Sequence, residues 1–93
     1  MRSTFYPVQG EPREIRPGHG NTFRLDELRG LIGSDFEIAC SFDDGSSLFV
    51  SQTGRRVGMP INIRATELYR TRVASDDYIC GPAVVVILRH QTK

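Results

Sequence analysis

The residues best suited to chemistry are gathered in one stretch, TGRRVGMPINIRATEL, residues 53–68. Arg55 and Arg56 stand side by side. Gly58, Pro60 and Asn62 follow at alternate positions, then Arg64, with Arg70 just beyond. A guanidinium fork offers a carboxylate or phosphate two parallel hydrogen bonds, and an asparagine amide adds a donor and an acceptor. Arg55, Arg56, Asn62, Arg64 and Arg70 are therefore the candidate binding residues. Their expected ligands are an anion, a nucleotide, a nucleic acid or an acidic protein surface. The same stretch also has a structural reading. Gly54 and Gly58 suit tight turns, Pro60 stiffens a crossing segment, and Asn62 is a natural N-cap for a helical turn beginning near Ala65. A catalytic reading would need a partnered base or nucleophile, and the only acid nearby is Glu67. No catalytic residue and no enzymatic activity are expected.

Charge sharpens the suspicion of this region. The chain of 93 residues has a net charge of +1, so its overall field is weak. Residues 1–54 carry five arginines and eight acids, a balance of −3. Residues 55–72 carry five arginines against Glu67 alone, a balance of +4, and residues 73–93 cancel. A nucleic-acid site would add aromatic rings to such a basic segment. Tyr69 beside Arg70 fits that pattern, although Phe5, Tyr6, Tyr69 and Tyr78 serve equally to complete a small core.

The remaining candidates read as structural. Cys40 and Cys80 lie in separate apolar segments and have no metal-ligand spacing around them. They are expected to be small buried hydrophobes. His19 lies between glycines and His90 in the tail. Asp43-Asp44 belongs to a turn and Asp76-Asp77 to a loop, so no metal or other cofactor is expected. No apolar run approaches the length of a membrane helix. The opening MRSTFYPVQG has no apolar stretch of the secretory kind, which sets the expectation of a cytoplasmic location.

The elements that must position these residues can be read from periodicity. A single domain over 1–93 is expected from the length. Ser3 to Val8 and Pro12 to Arg16 read as a strand, a turn and a return strand. Leu25, Leu28, Leu31 and Ile32 recur at helical spacing, predicting an amphipathic helix over about residues 23–32. Asn21 or Thr22 would cap it, and Gly33 would stop it. Phe36, Ile38, Cys40 and Phe42 alternate with less apolar residues, the pattern of a half-buried strand with all four on one face. Asp43-Asp44-Gly45-Ser46 then signals a hairpin. A three-residue loop over Asp44 to Ser46 sets Leu48 and Val50 beside Cys40 and Phe42, whereas a two-residue loop buries only Phe49 there. The three-residue loop is preferred. Ala65 to Tyr69 suits one helical turn. Tyr78 to Leu88, interrupted at Gly81-Pro82, reads as a central strand covered on one side by the helix. The sum is an α+β fold, a mainly antiparallel sheet of four to six short strands with one main helix packed on one face. The expected core includes Ile38, Cys40, Leu48, Val50, Val84 and Val86.

The order of these pieces resembles a known family. YPVQGEPREI opens as a β-turn-β, a helix runs into LIG, and a hairpin leads to a Thr-Gly turn. P-x-N-x-x-A follows, and then a closing strand beginning YICGPAVVV. The chain is similar over nearly its whole length to the domain-of-unknown-function 3846 family, small proteins carried mostly by phages and other mobile elements. Gly54, Pro60, Asn62, Ala65, Gly81, Ala83 and Val84 carry the likeness. Two departures touch the arginine-rich segment. Ser51-Gln52-Thr53-Gly54 replaces an Asn-Glu-x-Gly-like turn, and Ile63 separates Asn62 from Arg64. The resemblance implies a phage or mobile-element setting. It leads to the expectation of a small binding protein acting on a host protein, counter-defence included. The alternative is nucleotide or nucleic-acid binding through residues 55–72. A thin core and open sheet edges add the expectation of a homodimer.

Overall fold

A computed structural model describes residues 3–18, 20 and 23–87. The expected caps Asn21 and Thr22, the residues His19 and His90, and the end of the last expected strand at Leu88 lie outside these. Five strands form one antiparallel sheet in the order β2-β1-β5-β4-β3. They are β1 (Ser3–Tyr6), β2 (Arg13–Ile15), β3 (Phe36–Ser41), β4 (Ser47–Ser51) and β5 (Ala83–Val86). Helix α1 (Leu25–Ile32) precedes β3, and α2 (Ile63–Arg70) lies between β4 and β5. The α+β class and the packed main helix are as the periodicity predicts. β5 is the middle strand, and all four of its residues are buried.

β5 is buried on both sides, as a central strand apolar on both faces predicts, and a helix covers each face rather than one. Val84 and Val86 pack with Phe5, Phe49, Leu28 and Ile32 under α1. Ala83 and Val85 face the other way, with Leu48, Val50 and Ala65 under α2. The sheet thus has a helix on each face, and its middle strand β5 is apolar throughout rather than alternating.

The edge strand β3 shows how one sequence serves two layers. Cys40 pairs with Leu48 but Ile38 pairs with Phe49, a register shift that leaves Ala39 as an extra residue. A bulge of this kind reverses the inside-outside alternation beyond it. Cys40 and Phe42 therefore join the α2 layer, while Phe36 packs edge-on against Phe49 in the α1 layer, ring centroids 5.6 Å apart. Ile38, expected in the core on one face with Cys40, pairs on the Phe49 side instead and is 57% exposed.

Turn chemistry fixes the β3–β4 hairpin. The three-residue parity holds, with Leu48 and Val50 on the side of Cys40 and Phe42, but the loop is Asp43 to Gly45 rather than Asp44 to Ser46. The Phe42 N–H donates to the Ser46 carbonyl at 2.8 Å, and Gly45 takes the left-handed conformation at φ 93°. Asp44 Oδ1 accepts from the Ser46 N–H at 2.9 Å and from Ser46 Oγ at 2.6 Å. These bonds, the hydroxyl's first, lower the Asp44 pKa below the ordinary carboxylate value.

Helix α1 starts two residues later than its apolar spacing suggests, so Leu25 falls on the first turn and is exposed. Phe23 takes the inward place and joins Leu28 in the core, a residue before the cap packing on the fourth of the helix. Glu27 closes the N-terminus by accepting from the Arg24 N–H at 2.8 Å and the Gly18 N–H at 2.6 Å. Gly33, at φ 87°, donates to the Arg29 carbonyl and ends the helix as expected.

Two outcomes follow from this packing. Val86→Asp places an unpaired charge under α1 at a cost of several kcal/mol or more, against a stability of about 5 kcal/mol for so small a domain. Circular dichroism is expected to show loss of cooperative unfolding. Asp44 has a lowered folded pKa, so its stabilisation is complete above the unfolded carboxylate pKa and is lost as pH falls through the folded value. Asp44→Ala should therefore flatten the loss of melting temperature on acidification relative to the parent.

Candidate functional site

Asn62 is wholly buried, and every polar group of its side chain is used. Its Oδ1 accepts from the Ala65 N–H at 3.1 Å, which is the N-cap of α2. Its Nδ2 donates to the carbonyls of Tyr6 and Gly81, each at 2.9 Å. One amide thereby ties the start of α2 to the end of β1 and to the approach to β5. Backbone bonds continue the tie. The Asn62 N–H donates to Ile79 O at 2.7 Å, the Gly81 N–H to Pro60 O at 2.9 Å, and Ile61 forms an isolated bridge with Cys80. On α2 itself, the Thr66 hydroxyl accepts from the Ile79 N–H at 2.9 Å. The structural role that the sequence allowed for Asn62 is the one the fold places there, and no surface of it faces solvent.

Close approach completes the crossing. A Cβ on Gly54 would lie 2.5 Å from the Cys80 carbonyl oxygen. Gly81 sits at φ 91°, and a Cβ there would meet the Met59 sulfur at 2.6 Å. Both positions require glycine, one for space and one for conformation as well.

The family model of a domain of unknown function, DUF3846, matches residues 1–93, the whole chain. The chain belongs to the DUF3846 family. No curated protein and no solved structure matches it. Several of the residues that carry the DUF3846 likeness meet at this crossing: Gly54, Pro60, Asn62, Ala65 and Gly81 hold the 53–65 segment against the start of β5, where Ala83 and Val84 follow in the core. In this DUF3846 protein they form an architectural joint.

The arginines stand outside that joint and are not one cluster. Arg55 reaches Asp77 at 3.3 Å and lies over the Tyr78 ring at 4.4 Å from its centroid. Arg70 donates to the backbone carbonyls of Asp76 and Asp77, so Arg55 and Arg70 converge on the same loop. Arg64 instead pairs with Glu11 in the β1–β2 connection at 3.1 Å. Arg72 pairs with Asp43 at 2.9 Å. Arg56 is exposed and makes no ion pair among the described residues. The positive balance of residues 55–72 is thus met by acids brought in from elsewhere in the chain.

Sequence reasoning missed the apolar members of this surface. Val57 is 64% exposed, Ile61 51% and Ile63 66%, all between Arg56 and Arg64 or flanking them. The signal was present, since the inward positions of a segment that buries Asn62 leave its neighbours outward.

The other chemical candidates have structural explanations. Phe5, Tyr6 and Tyr69 pack in the two cores, and Tyr78 alone of the four rings is exposed. Cys40 and Cys80 are free thiols. Burial pushes the Cys40 thiol up, against a smaller opposing effect of Arg72, the reverse of what activates a cysteine nucleophile. Among the described residues, no three His, Cys, Asp or Glu side chains are grouped to hold a metal ion. No helix among them is long and apolar enough to cross a membrane.

Asn62→Ala removes the cap and strands the buried Gly81 carbonyl and the partly buried Tyr6 carbonyl, so a loss of about 3 kcal/mol is expected from these effects together. Asn62→Asp keeps the cap acceptor but loses both donors and buries a charge. It should be destabilised at least as much at neutral pH, as judged by urea unfolding. Gly54→Ala should cost about 1–3 kcal/mol by overpacking against the Cys80 carbonyl.

Proposed function

We propose that this is a non-enzymatic binding protein of a phage or other mobile element, acting on a host protein in the bacterial cytoplasm, with counter-defence among its roles. The observation that carries the binding role is the exposed apolar run Val57, Ile61 and Ile63, edged by Arg55, Arg56 and Arg64. Protein interfaces combine an apolar centre with arginine at its border, and aliphatic side chains offer nothing to a phosphate backbone. The segment is also held rigid by Asn62, so docking on it would order little additional chain. A nucleotide or nucleic acid fits less well. It would have to displace Glu11 from Arg64, Asp77 from Arg55 and Asp43 from Arg72. For self-association, the β3 edge with its exposed Ile38 is the place where a second copy would pair.

Capture from host lysate, with and without nuclease, identifies the partner by mass spectrometry. Val57→Ser with Ile63→Ser should leave thermal stability within about 0.5 kcal/mol per site. The same pair should weaken the purified complex by more than about 2 kcal/mol, or some thirtyfold. Replacing Arg55, Arg56 and Arg64 with alanine should weaken it as well. Undiminished affinity in both variants would move the binding surface elsewhere. Capture that disappears with nuclease would favour nucleic acid.

A further inference from the structure

A cleft of about 300 Å³ opens beside this surface, between the β3 edge and the loop that leads to Ile79. Helix α2 covers the sheet over Cys40 and Phe42 but leaves the first half of β3 uncovered on this side. Val50 and Ile79 give the cleft an apolar lining, and Tyr69 and Tyr78 supply aromatic rings. Its charged lining consists of Glu37, Asp77 and Arg55. Because Arg55 is already paired with Asp77, the Glu37 carboxylate is the charge left without a counterpart. Glu37 makes no hydrogen bond or ion pair among the described residues.

We propose that this cleft receives the guanidinium of an arginine side chain from a protein partner. Glu37 matches a guanidinium in charge and in two-point geometry. A guanidinium also stacks on phenol rings, two of which line the cleft, and the chain already makes one such contact within itself, Arg55 over Tyr78. An anion would meet Glu37 and would compete with Asp77 for Arg55. The inference rests on the protein-binding reading, and it adds a basic contact next to the apolar one. Arg55 stands between the two regions.

The test uses the full chain and small probes, so its result does not depend on Val57 or Ile63. N-acetyl-arginine amide, with the glutamine and glutamate analogues as neutral and anionic controls, is titrated while backbone amide resonances are followed by NMR. Saturable shifts at Ala39, Gln52 and Tyr78 are expected with the arginine probe alone. Glu37→Gln, exposed and unbonded, should fold normally and raise the probe Kd by about fivefold. Tyr78→Phe should retain binding, since the ring face persists, and Tyr78→Leu should weaken it. Equal shifts with all three probes, preference for the glutamate probe, or an unchanged Kd in Glu37→Gln would overturn the proposal. Concentration-dependent shifts at these residues without probe would also overturn it, because a second copy would then be the occupant.

Discussion

The fold depends on a buried side-chain amide. Asn62 offers an acceptor to the first turn of α2 and two N–H donors to the carbonyls of Tyr6, at the end of β1, and Gly81, just before β5. Aspartate lacks the donors, serine lacks the reach for three partners, and any apolar residue leaves all three groups unpaired in a dry interior. Helix α2 has eight residues, too few to be stable in water alone. It persists because its first turn is fixed by Asn62 and because Ala65 is packed on Leu48 and Val50. A polar interaction therefore decides where an apolar layer can form.

The glycines make that interaction possible. Gly54 lets the 53–58 turn lie directly on the Cys80 carbonyl, and Gly81 bends the chain past Met59 into β5. With both backbones this close, the Asn62 amide reaches across to β1 and β5 at ordinary hydrogen-bond lengths. The charge distribution follows from the same crossing. It carries the arginine-rich segment past the β1–β2 connection and the 76–77 loop, whose Glu11 and Asp77 balance it. A basic segment in the sequence becomes a nearly neutral surface in the fold.

Much of this was legible before the structure, for definite reasons. Period-two and period-3.6 patterns gave the strands and α1, and hairpin parity put Leu48 and Val50 beside Cys40 and Phe42. The dual reading of Asn62 included the cap that the structure contains. The misplacement of Ile38 traces to the second layer. A sheet covered on both faces rewards a bulge that divides Phe36 from Cys40 and Phe42. Strict alternation, which assumes one buried face, sends Ile38 to the wrong side. The loop boundary moved for a local reason, because Gly45 and not Ser46 can take the left-handed turn position. The arginine ion pairs were invisible because their acids lie far off in sequence, 53 residues away for Arg64 and Glu11.

The exposed aliphatics pose the remaining physical question, why a domain with so thin a core leaves Val57, Ile61 and Ile63 in water. Relocating them inward is closed off. The segment's backbone is committed on its inner side to Ile79 and Gly81, and its fully buried side chain is Asn62, with Met59 half-buried against Gly81. Rotating the segment to bury Ile61 or Ile63 would expel Asn62 and leave the Tyr6 and Gly81 carbonyls unsatisfied, each at a cost of about 1–3 kcal/mol. Burying one aliphatic side chain returns only about 1.5–3 kcal/mol. The exchange is unfavourable, so the apolar groups stay outside and remain fixed in position. Architecture thus explains why these positions face outward, while their apolar character is the part that the proposed binding role would account for.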